Sequence, residues 1–403
     1  MLHDLHDASW TRREGLALLT AALGAPNIRW VGGAVRDGLL GVPVADVDCA
    51  TLLMPAEVIA RCGRAGIRTV PTGIEHGTVT AILKDGPVEV TTLRRDVATD
   101  GRRATIAFAS DWADDAARRD FTINALYAHP ETLEIEDFFG GLDDLAEGRV
   151  RFIGDAHQRI AEDHLRILRY YRFQTRFGAD LDAEAENACR ELAHTLKGLS
   201  RERIAAELLA LLTLPDPHAT LVRMRASGPL GVILPETCPG HLAALEQLIA
   251  AEAKQDIAPD PVRRLAALLP PSPQVAETVA ARLRLSKTQR GRLVSAAERR
   301  PDDTSDPRAL AYRLTAAAAI DRLLLLGADA RLLIDWTVPV FPIKGGAIVA
   351  RGITAGPEVA RILQAVEARW VAEGFPDSIR TAALLDEELA KAASQGTHGA
   401  NGA

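Results

Sequence analysis

The chain has 403 residues, of which 47% are hydrophobic and 25% are charged, and its formal net charge is −7 at pH 7. This length exceeds one ordinary hydrophobic core and favours two or three subdomains. No apolar run approaches the roughly 20 residues of a membrane-spanning helix, which argues against a membrane partner. The cysteines form no Cys-x-x-Cys pair, which argues against a disulfide framework and a structural zinc site. The amino-terminal residues lack an apolar signal segment, so we expect a cytoplasmic protein.

Residues 1–150 alternate between strand-like and helical patterns. Strands are predicted at 28–31, 44–50, 77–83 and 88–93, and helices at 11–23 and 54–65. The polar, Gly- and Ala-containing residues 94–115 predict a mobile loop. Together these patterns predict an α+β head in which helices flank a small mixed or antiparallel sheet.

From residue 151 onwards the sequence is rich in Ala, Leu and Arg with helical periodicity, and prolines mark the breaks. We predict a long helix from about Asp155 to Phe177, within an all-helical neck at 151–215. The helical pattern continues through a body and tail at 216–390. Residues 391–403 have no apolar periodicity, so we expect them to be disordered.

Charge is unevenly distributed along the chain. The negative net charge at first argues against a nucleic-acid partner, because phosphate backbones are bound by excess Lys and Arg. Residues 149–176, however, contain seven arginines and three acids. A basic run of this kind is more often a solvated helix face than a binding site, so other residues have to establish a function.

A glycine pair follows the first predicted strand. Gly32 and Gly33 precede a helix that opens with Ala34, Val35, Arg36 and Asp37. Backbone N–H groups at a helix N-terminus can bind a polyphosphate, and a guanidinium group in that first turn would add a bidentate contact. Taken alone, a glycine pair is more often a tight turn that needs a positive φ.

Two aspartates lie two residues apart in the second predicted strand. Because alternate side chains of a strand share a face, Asp46 and Asp48 project to the same side. Neighbouring carboxylates repel each other unless a cation neutralises them, and hard oxygen ligands suit Mg²⁺. Glu89, in a following strand, is a third acid that can converge with them. Two-metal phosphoryl transfer requires such an arrangement, although an aspartate pair on an exposed edge strand needs no metal.

Two further charged groups suggest nucleotide chemistry. Arg118 and Arg119 beside Asp120 can span a phosphate and a sugar hydroxyl, unless they form a capping ion pair. Asp163 and Arg166 lie three residues apart on the predicted long helix, which places an acceptor beside a donor. Cytosine and adenine offer an amino donor beside a ring-nitrogen acceptor, whereas uracil and guanine offer a carbonyl oxygen beside an N–H. The pair would therefore select C and A, unless it is an intrahelical salt bridge.

A series of motifs occurs in an order that matches a known family. The motifs are GGAVRD (32–37), DVD (46–48), EHGTVTAIL (75–83), EVTTLR (89–94), RRDFTINAL (118–126), DFFGGLDDL (137–145), EDHLRILRYYRF (162–173), LSRERIAAEL (199–208) and FPIKGGAIVARGITAGPEVARIL (341–363). In order and approximate spacing they resemble the class II tRNA nucleotidyltransferases of the polymerase-β-like superfamily. The resemblance covers nearly the whole chain and implies a polymerase-β-like nucleotidyltransferase head, followed by a helical neck, body and tail.

The resemblance also implies an activity, namely template-independent addition of CMP and AMP from CTP and ATP to the 3′ acceptor end of tRNA. Asp46 and Asp48 would be the Mg²⁺ ligands, and Glu89 is our choice for the third catalytic acid. Gly33, next to Gly32, and Arg36 would hold the triphosphate. The nucleotide itself would be contacted by residues from two motifs: Arg119 and Asp120 near the ribose, Asp163 and Arg166 at the base edge, and Arg169 and Arg172 at the nucleotide or its phosphates.

Three alternatives remain open at this point. A poly(A) polymerase shares the same head, since fold does not settle substrate, but the segment 72–80 and the absence of a long basic extension argue against it. An enzyme that adds only CC or only A is the second alternative. In the resembling enzymes a loop at 94–115 supports the switch from C to A addition, and its intact length favours full CCA addition. The third is a non-catalytic tRNA-binding protein, against which Asp46, Asp48 and Arg119 argue.

Overall fold

The structure is a computed structural model that describes residues 2–100, 103–179 and 181–398, without the side chains of residues 95–107 and 393–398. The chain forms two compact units, Met1–Thr237 and Cys238–Ala403. The described part of the first unit contains all the strands, and that of the second is helical. The finer predicted division, with boundaries near residues 150, 215 and 390, stays a prediction.

The strands of the first unit build one larger sheet and one hairpin. They are β1 (Ile28–Val31), β2 (Val47–Thr51), β3 (Arg68–Gly73), β4 (Thr78–Leu83), β5 (Gly86–Thr92), β6 (Arg94–Asp100), β7 (Arg103–Phe108), β8 (Leu126–Ala128) and β9 (Ile135–Asp137). Seven strands pair in the order β3-β4-β5-β2-β1-β8-β9, and β6 pairs with β7. The β2–β5 pair is parallel and the other pairs are antiparallel. The sheet is therefore mixed, which confirms the predicted α+β class.

Strand β2 lies at the centre of the larger sheet, between β5 and β1. Successive side chains of a strand point to opposite faces, and in β2 Val47 and Cys49 are buried whereas Asp48 is exposed. On one side Asp48 is registered with Glu89 of β5, and on the other with Val31, the last residue of β1. The register thus brings the predicted acids to the point where β1 ends.

Helices surround this sheet and complete the first unit. They are α1 (Glu14–Leu23), α2 (Gly33–Leu39), α3 (Pro55–Arg64), α4 (Trp112–Ala117), α5 (Gly141–Glu147), α6 (Ala156–Glu162), α7 (Arg166–Phe177), α8 (Ala183–Glu191), α9 (Arg201–Leu212), α10 (His218–Ser227) and α11 (Pro229–Ile233). Helix α7 is amphipathic, and its buried face includes Tyr170 and Phe173. Both rings pack on Phe121, which follows the Arg118–Asp120 motif. This aromatic contact holds α7 against the Arg118–Asp120 motif within the first unit.

The predicted long helix from Asp155 to Phe177 is wrong, because it is broken into α6 and α7. At the break, Asp163 adopts an extended conformation with φ of −151° and ψ of 103°. Its side chain accepts a hydrogen bond from the backbone N–H of Leu165 at 3.1 Å, and its carbonyl oxygen accepts one from Arg166 N at 3.0 Å. Asp favours such capping positions over helix interiors, because its short carboxylate competes for backbone N–H groups. Asp163 thus ends α6, and its side chain stabilises the turn that leads into α7.

The second unit is built from helices in its described residues. They are α12 (Pro239–Lys254), α13 (Pro261–Ala267), α14 (Pro273–Arg282), α15 (Lys287–Ala297), α16 (Pro307–Arg313), α17 (Ala316–Leu325), α18 (Gly345–Val349), α19 (Pro357–Ala372) and α20 (Ser378–His398). Five of them open with a proline in the first turn, where its missing N–H is not needed and its fixed φ suits the helix. A cluster around Trp370 and Val366 forms the core of its carboxyl-terminal helices. Among the described residues, no helix is long and apolar enough to cross a membrane.

Two further expectations are corrected. Residues 94–115, predicted to be a mobile loop, contain the β6–β7 hairpin and the start of α4, while the hairpin tip at 101–102 lies outside the described residues. Alternating β-branched and apolar residues on β7 suit a strand better than the composition of the whole segment suggests. The backbone of α20 continues to His398, so residues 391–398 are helical rather than disordered. Extending a helix that has already formed costs less than nucleating a new one. Residues 399–403 lie outside the described residues.

Candidate active site

The glycine pair lies where β1 passes into α2. Gly32 has a φ of +71°, a conformation that residues with a Cβ atom rarely adopt, and α2 begins at Gly33. A Cβ atom added to Gly32 would lie 3.5 Å from Nη1 of Arg119. The bare backbone of this turn is therefore within reach of a ligand that Arg119 also contacts.

Asp48 and Glu89 lie side by side, because β2 and β5 pair in parallel with these residues in register. Asp46 precedes β2 and is exposed. Although the Asp48 carboxylate is open to solvent on one side, desolvation by the surrounding protein raises its pKa above the ordinary value. The nearby Glu89 and Asp46 carboxylates raise this pKa further, while Arg119 opposes them. The three predicted acids are thus electrostatic neighbours.

These acids fit a divalent cation that takes few protein ligands. In the described part of the chain, no group of three or more His, Cys, Asp or Glu side chains could by itself hold a metal ion. Mg²⁺ is often bound through one or two carboxylates, with substrate phosphate oxygens and water completing its octahedron. Desolvation is the main cause of the raised pKa of Asp48, and repulsion by Glu89 and Asp46 adds to it; a bound cation would relieve that repulsion. The donor set therefore suits Mg²⁺ at Asp46 and Asp48, and the role of Glu89 stays a prediction.

A cleft of about 200 Å³ lies beside Asp48. Its lining residues are Val31, Asp48, Cys49, Ala50, Glu89, Thr91, Arg94, Asp115, Arg118 and Arg119. The cleft combines carboxylates that have no ion pair among the described residues, those of Asp48 and Glu89, with two arginines from one motif. A cation and a polyanion can therefore bind next to each other here.

Asp115 is a member of the cleft that we did not single out from the sequence. Its side chain is 2% exposed and forms ion pairs with Arg118 at 2.8 Å and Arg119 at 3.1 Å. Burial alone would raise the pKa of Asp115, but the two arginines and the Tyr127 hydroxyl bring it down to about 2. The available signal was its spacing, since positions i+3 and i+4 on a helix are neighbours.

Asp120, predicted to contact the ribose, is directed away from the cleft. Its carboxylate accepts hydrogen bonds from Asn124 Nδ2 at 2.9 Å and from Arg169 Nε at 2.7 Å. Burial would raise the pKa of Asp120, but Arg169 and Asn124 lower it below the ordinary value. Asp120 thus connects the Arg118–Asp120 motif to α7.

Arg36, predicted to hold the triphosphate, is also directed inwards. Its side chain is 5% exposed and pairs with Asp37 at 2.8 Å, and its Nη1 donates to the Asn124 side chain. The guanidinium also lies over the rings of Phe173 and Phe177. Because Arg36 does not line the cleft, it supports the glycine turn from inside in this structure.

Asp163 and Arg166 are not paired with each other, contrary to the prediction that they lie side by side on one helix. The break between α6 and α7 separates them, and Asp163 pairs with Arg203 of α9 at 2.6 Å. Arg166 pairs with Glu162 at 2.6 Å and donates to the carbonyl oxygen of Arg118 at 3.1 Å. Arg166 therefore contacts the backbone of a cleft residue, whereas Asp163 contacts α9.

Arg169 and Arg172 lie on α7 as predicted, one turn apart. Both pair with Glu207 of α9, at 3.5 Å and 2.6 Å respectively. Both guanidinium groups also lie over the Phe173 ring. Glu207 and Arg203 belong to the motif 199–208, whose individual roles sequence reasoning did not assign. The structure thus identifies α9 as the element that holds the charged side of α7.

Comparisons with known proteins agree on one family. Residues 28–151 match the family described as the poly A polymerase head domain, and residues 178–240 match one described as a probable RNA and SrmB-binding site of polymerase A. The mouse mitochondrial CCA tRNA nucleotidyltransferase 1 is 37% identical over 383 residues, which cover 90% of this chain and 87% of that protein. The CCA-adding enzyme of Streptococcus sanguinis is 42% identical over 221 residues, or 54% of each chain.

Solved structures share the fold. The Bacillus stearothermophilus CCA-adding enzyme in complex with CTP superposes with a TM-score of 0.73 at 24% identity, covering 95% of this chain and all of that one. The Thermotoga maritima CCA-adding enzyme complexed with tRNA gives 0.69 at 21% identity, covering 97% and 99%. At these identities the structures establish a common fold.

Proposed function

The chain belongs to the family of CCA tRNA nucleotidyltransferases, and from that premise we propose that it adds CMP and AMP, without a template, to the 3′ end of tRNA. The observation that carries the proposal is the cleft in which Asp48 and Glu89 lie beside Arg118 and Arg119, next to the Gly32 turn. Nucleotidyl transfer needs a site for a metal and the attacking 3′-hydroxyl, and an adjacent site for the triphosphate. Carboxylates suit the first of these and guanidinium groups the second.

Asp46 and Asp48 would hold Mg²⁺, which lowers the pKa of the 3′-hydroxyl and neutralises charge on the leaving pyrophosphate. The other residues bind and orient the substrates. The bare turn at Gly32 and Gly33 lets the triphosphate approach the backbone, and Arg119, whose Nη1 lies against Gly32, supplies positive charge there. Arg36 holds this turn from inside instead of contacting the triphosphate.

We assign selection of the base to Asp163 and Arg166, as an exchange of partners. In the structure described above, Asp163 is paired with Arg203 and Arg166 with Glu162. A base whose amino group donates a hydrogen bond to Asp163, and whose ring nitrogen accepts one from Arg166, replaces those two protein partners. Cytosine and adenine offer this pattern, whereas uracil and guanine would leave both side chains unpaired, which is costly in a partly buried site.

The positive charges of Arg169 and Arg172 are the remaining contribution of α7. Both are partly buried against Glu207 and the Phe173 ring. We assign them to the nucleotide phosphates or to the tRNA end, with Asp120 holding Arg169 in place. The helical residues 151–215 then form a neck, and residues 216–390 bind the tRNA by shape and backbone. The cytoplasmic location stays a prediction, since the mouse and human relatives are described as mitochondrial.

Product length tests the proposal. The purified protein is incubated with Mg²⁺ and a tRNA that lacks its terminal CCA, and is offered CTP, ATP or both. We expect an extension by two nucleotides with CTP alone and by three with both. A long ladder of A residues on unrelated RNA would assign the chain to poly(A) polymerases, an extension that stops after CC would assign a partial activity, and no incorporation into any tRNA would overturn catalysis.

A further inference from the structure

Asp115 contacts several separate parts of the cleft, and the proposed function gives these contacts no role. Its Oδ1 accepts hydrogen bonds from Nε and Nη2 of Arg118, at 2.9 and 2.8 Å, and from the backbone N–H of Arg94 at 3.1 Å. Its Oδ2 accepts from Nη2 of Arg119 at 3.1 Å and from the Tyr127 hydroxyl at 2.7 Å. One carboxylate thus joins the start of the β6–β7 hairpin, the end of α4 and strand β8.

These contacts determine which nitrogen atoms of the two arginines are left for a ligand. Arg118 uses its Nε and Nη2 on Asp115, while Arg119 uses Nη2 on Asp115 and Nε on the Tyr127 oxygen at 2.9 Å. Within the described part of the chain, Nη1 of each arginine donates no hydrogen bond. Both residues line the cleft, and Nη1 of Arg119 lies against the Gly32 turn.

We propose that Asp115 is a positioning residue, which locks Arg118 and Arg119 in one orientation so that their Nη1 groups face the triphosphate of the incoming nucleotide. The inference rests on the proposed function and deepens it. A guanidinium held on two sides loses little rotational freedom when the nucleotide binds, so its contacts with phosphate cost less ordering entropy. The carboxylate also remains ionised at all physiological pH values, because the arginines hold its pKa low.

Tyr127 completes this arrangement. Its hydroxyl donates to Asp115 and accepts from Arg119, so it lies between the two charged groups. Burial raises its pKa, and Tyr127 is fully buried, which makes it a neutral bridge rather than an acid or a base. Removing this hydroxyl alone loosens Arg119 without removing the Asp115 charge.

A kinetic cycle tests the proposal in the full-length protein. We compare wild type, Asp115→Asn, the Arg118→Ala/Arg119→Ala variant and the combined triple variant. The measurements are kcat and KM for CTP at saturating tRNA, KM for tRNA at saturating CTP, and the dissociation constant of CTP by equilibrium dialysis. We expect Asp115→Asn to lower kcat/KM for CTP on the order of 10- to 100-fold, with the KM for tRNA unchanged. In the background without both arginines, the same substitution should change CTP binding less than about 3-fold.

Additivity is the result that overturns the inference, since a residue that acts through the arginines cannot matter once they are gone. An equal rise in the KM values for CTP and tRNA would also overturn it, because that indicates a general loss of structure. Tyr127→Phe keeps the ring and provides a second variant if Asp115→Asn does not fold, with an expected loss of about 3- to 10-fold; no loss would contradict the proposal.

Asp111→Asn is the matched control, because Asp111 is exposed and caps the same helix by accepting from Ala113 N at 2.9 Å, a role that Asn performs equally well. If the wild-type protein binds CTP but adds no nucleotide, the proposed function fails while the cycle is still read from CTP binding. If it neither adds nor binds nucleotide, both proposals are overturned.

Discussion

Each of the two units contains a cluster of acids and arginines. The clusters have the same residue types but different roles, one as a binding cleft and the other as a structural ion network. The cleft of the first unit contains Asp48, Glu89 and Asp115 with Arg94, Arg118 and Arg119. A buried ion network in the second unit contains Glu252, Asp260 and Asp321 with Arg263, Arg264 and Arg292. Both clusters hold three acids and three arginines, so formal charge does not distinguish them.

In the buried ion network every acid has an arginine partner. Glu252, with a side chain that is 2% exposed, pairs with Arg263 at 2.7 Å and Arg264 at 2.8 Å. Arg292 pairs with Asp321 at 2.7 Å and with Asp260 at 2.9 Å. Removing charges from water is costly unless each is paired and hydrogen-bonded, and this network meets that requirement. Among the described residues, the acids of this network are therefore all paired, and none is left to bind a ligand.

In the cleft the arginine partners are distributed unequally among the three acids. Asp115 takes both Arg118 and Arg119, while Asp48 and Glu89 have no ion pair among the described residues. Within the cleft, the two arginines bring the pKa of Asp115 down to about 2, whereas desolvation and then the nearby Glu89 and Asp46 raise that of Asp48. Ion pairing, and not a raised pKa, separates the two clusters, because burial also raises the pKa of the paired Asp321, to about 6. A functional site is therefore marked by charges that the protein leaves uncompensated, and a structural cluster by charges that it pairs completely.

The largest effect on activity is expected for Asp48→Asn, which tests whether the unpaired acid of the cleft is functional. If Asp48 is left unpaired for a metal, its loss should lower CMP incorporation by about 1,000-fold, because metal catalysis contributes several kcal/mol. Stability should be unchanged or higher, since Asn removes the repulsion with Glu89. Incorporation into tRNA lacking CCA and the thermal unfolding midpoint are the two measurements. Asp143→Asn, at an exposed position of α5, is the control; an Asp48→Asn variant that retained activity would remove the metal assignment.

Glu252→Ala should give the reverse result, namely a loss of stability with unchanged activity. It leaves Arg263 and Arg264 as buried charges without their common partner, which costs about 3 kcal/mol of unfolding free energy. Nucleotide addition per folded molecule should be unchanged at a temperature where the variant is folded. Urea unfolding measures the first effect and active-site titration the second. Asp329→Asn removes an exposed ion pair with Arg331 and should change the unfolding free energy far less than Glu252→Ala does. An equal loss for both variants would show that burial gives the network no special importance.

Acid sensitivity tests the paired acid of the cleft, Asp115. The folded-state pKa of Asp115 lies near 2, below its ordinary value of 3.8, so its stabilisation is fully present above about pH 4 and is lost as the pH falls towards 2. The lost contribution is roughly 2 kcal/mol. The difference in unfolding free energy between wild type and Asp115→Asn should therefore shrink from pH 5 to pH 2.5, as measured by urea unfolding. A difference that does not change with pH would mean that Asp115 is not held ionised by its arginines.

The sequence predicted the sheet and its acids well because those features are local. Strand β1 was predicted with its observed bounds, and Asp48 lies in β2 as predicted, whereas Asp46 precedes that strand; their common face stays a prediction. The break at Asp163 was missed because the apolar periodicity continues on both sides of it, and only the capping contact with Leu165 N reveals it. Asp115 was missed because its importance depends on Tyr127 and Arg94, which come from distant strands.

The smallest expected effect concerns Asp163, which combines features of both clusters. It is paired, as in the buried network, but its partner Arg203 and Asp163 itself are each more than 30% exposed. If a base replaces Arg203 on Asp163, then Asp163→Asn should reduce the preference for CTP over UTP by about 10-fold, at the lower end of the 1–3 kcal/mol of one bidentate contact. Stability should change by less than about 0.5 kcal/mol, because Asn can accept the same hydrogen bond from Leu165 N. Single-turnover incorporation of CTP and UTP measures this preference, with Asp155→Asn, the cap of α6, as control. An unchanged preference would make the Asp163–Arg203 pair structural, like those of the buried network, and would move base selection to other residues of the site.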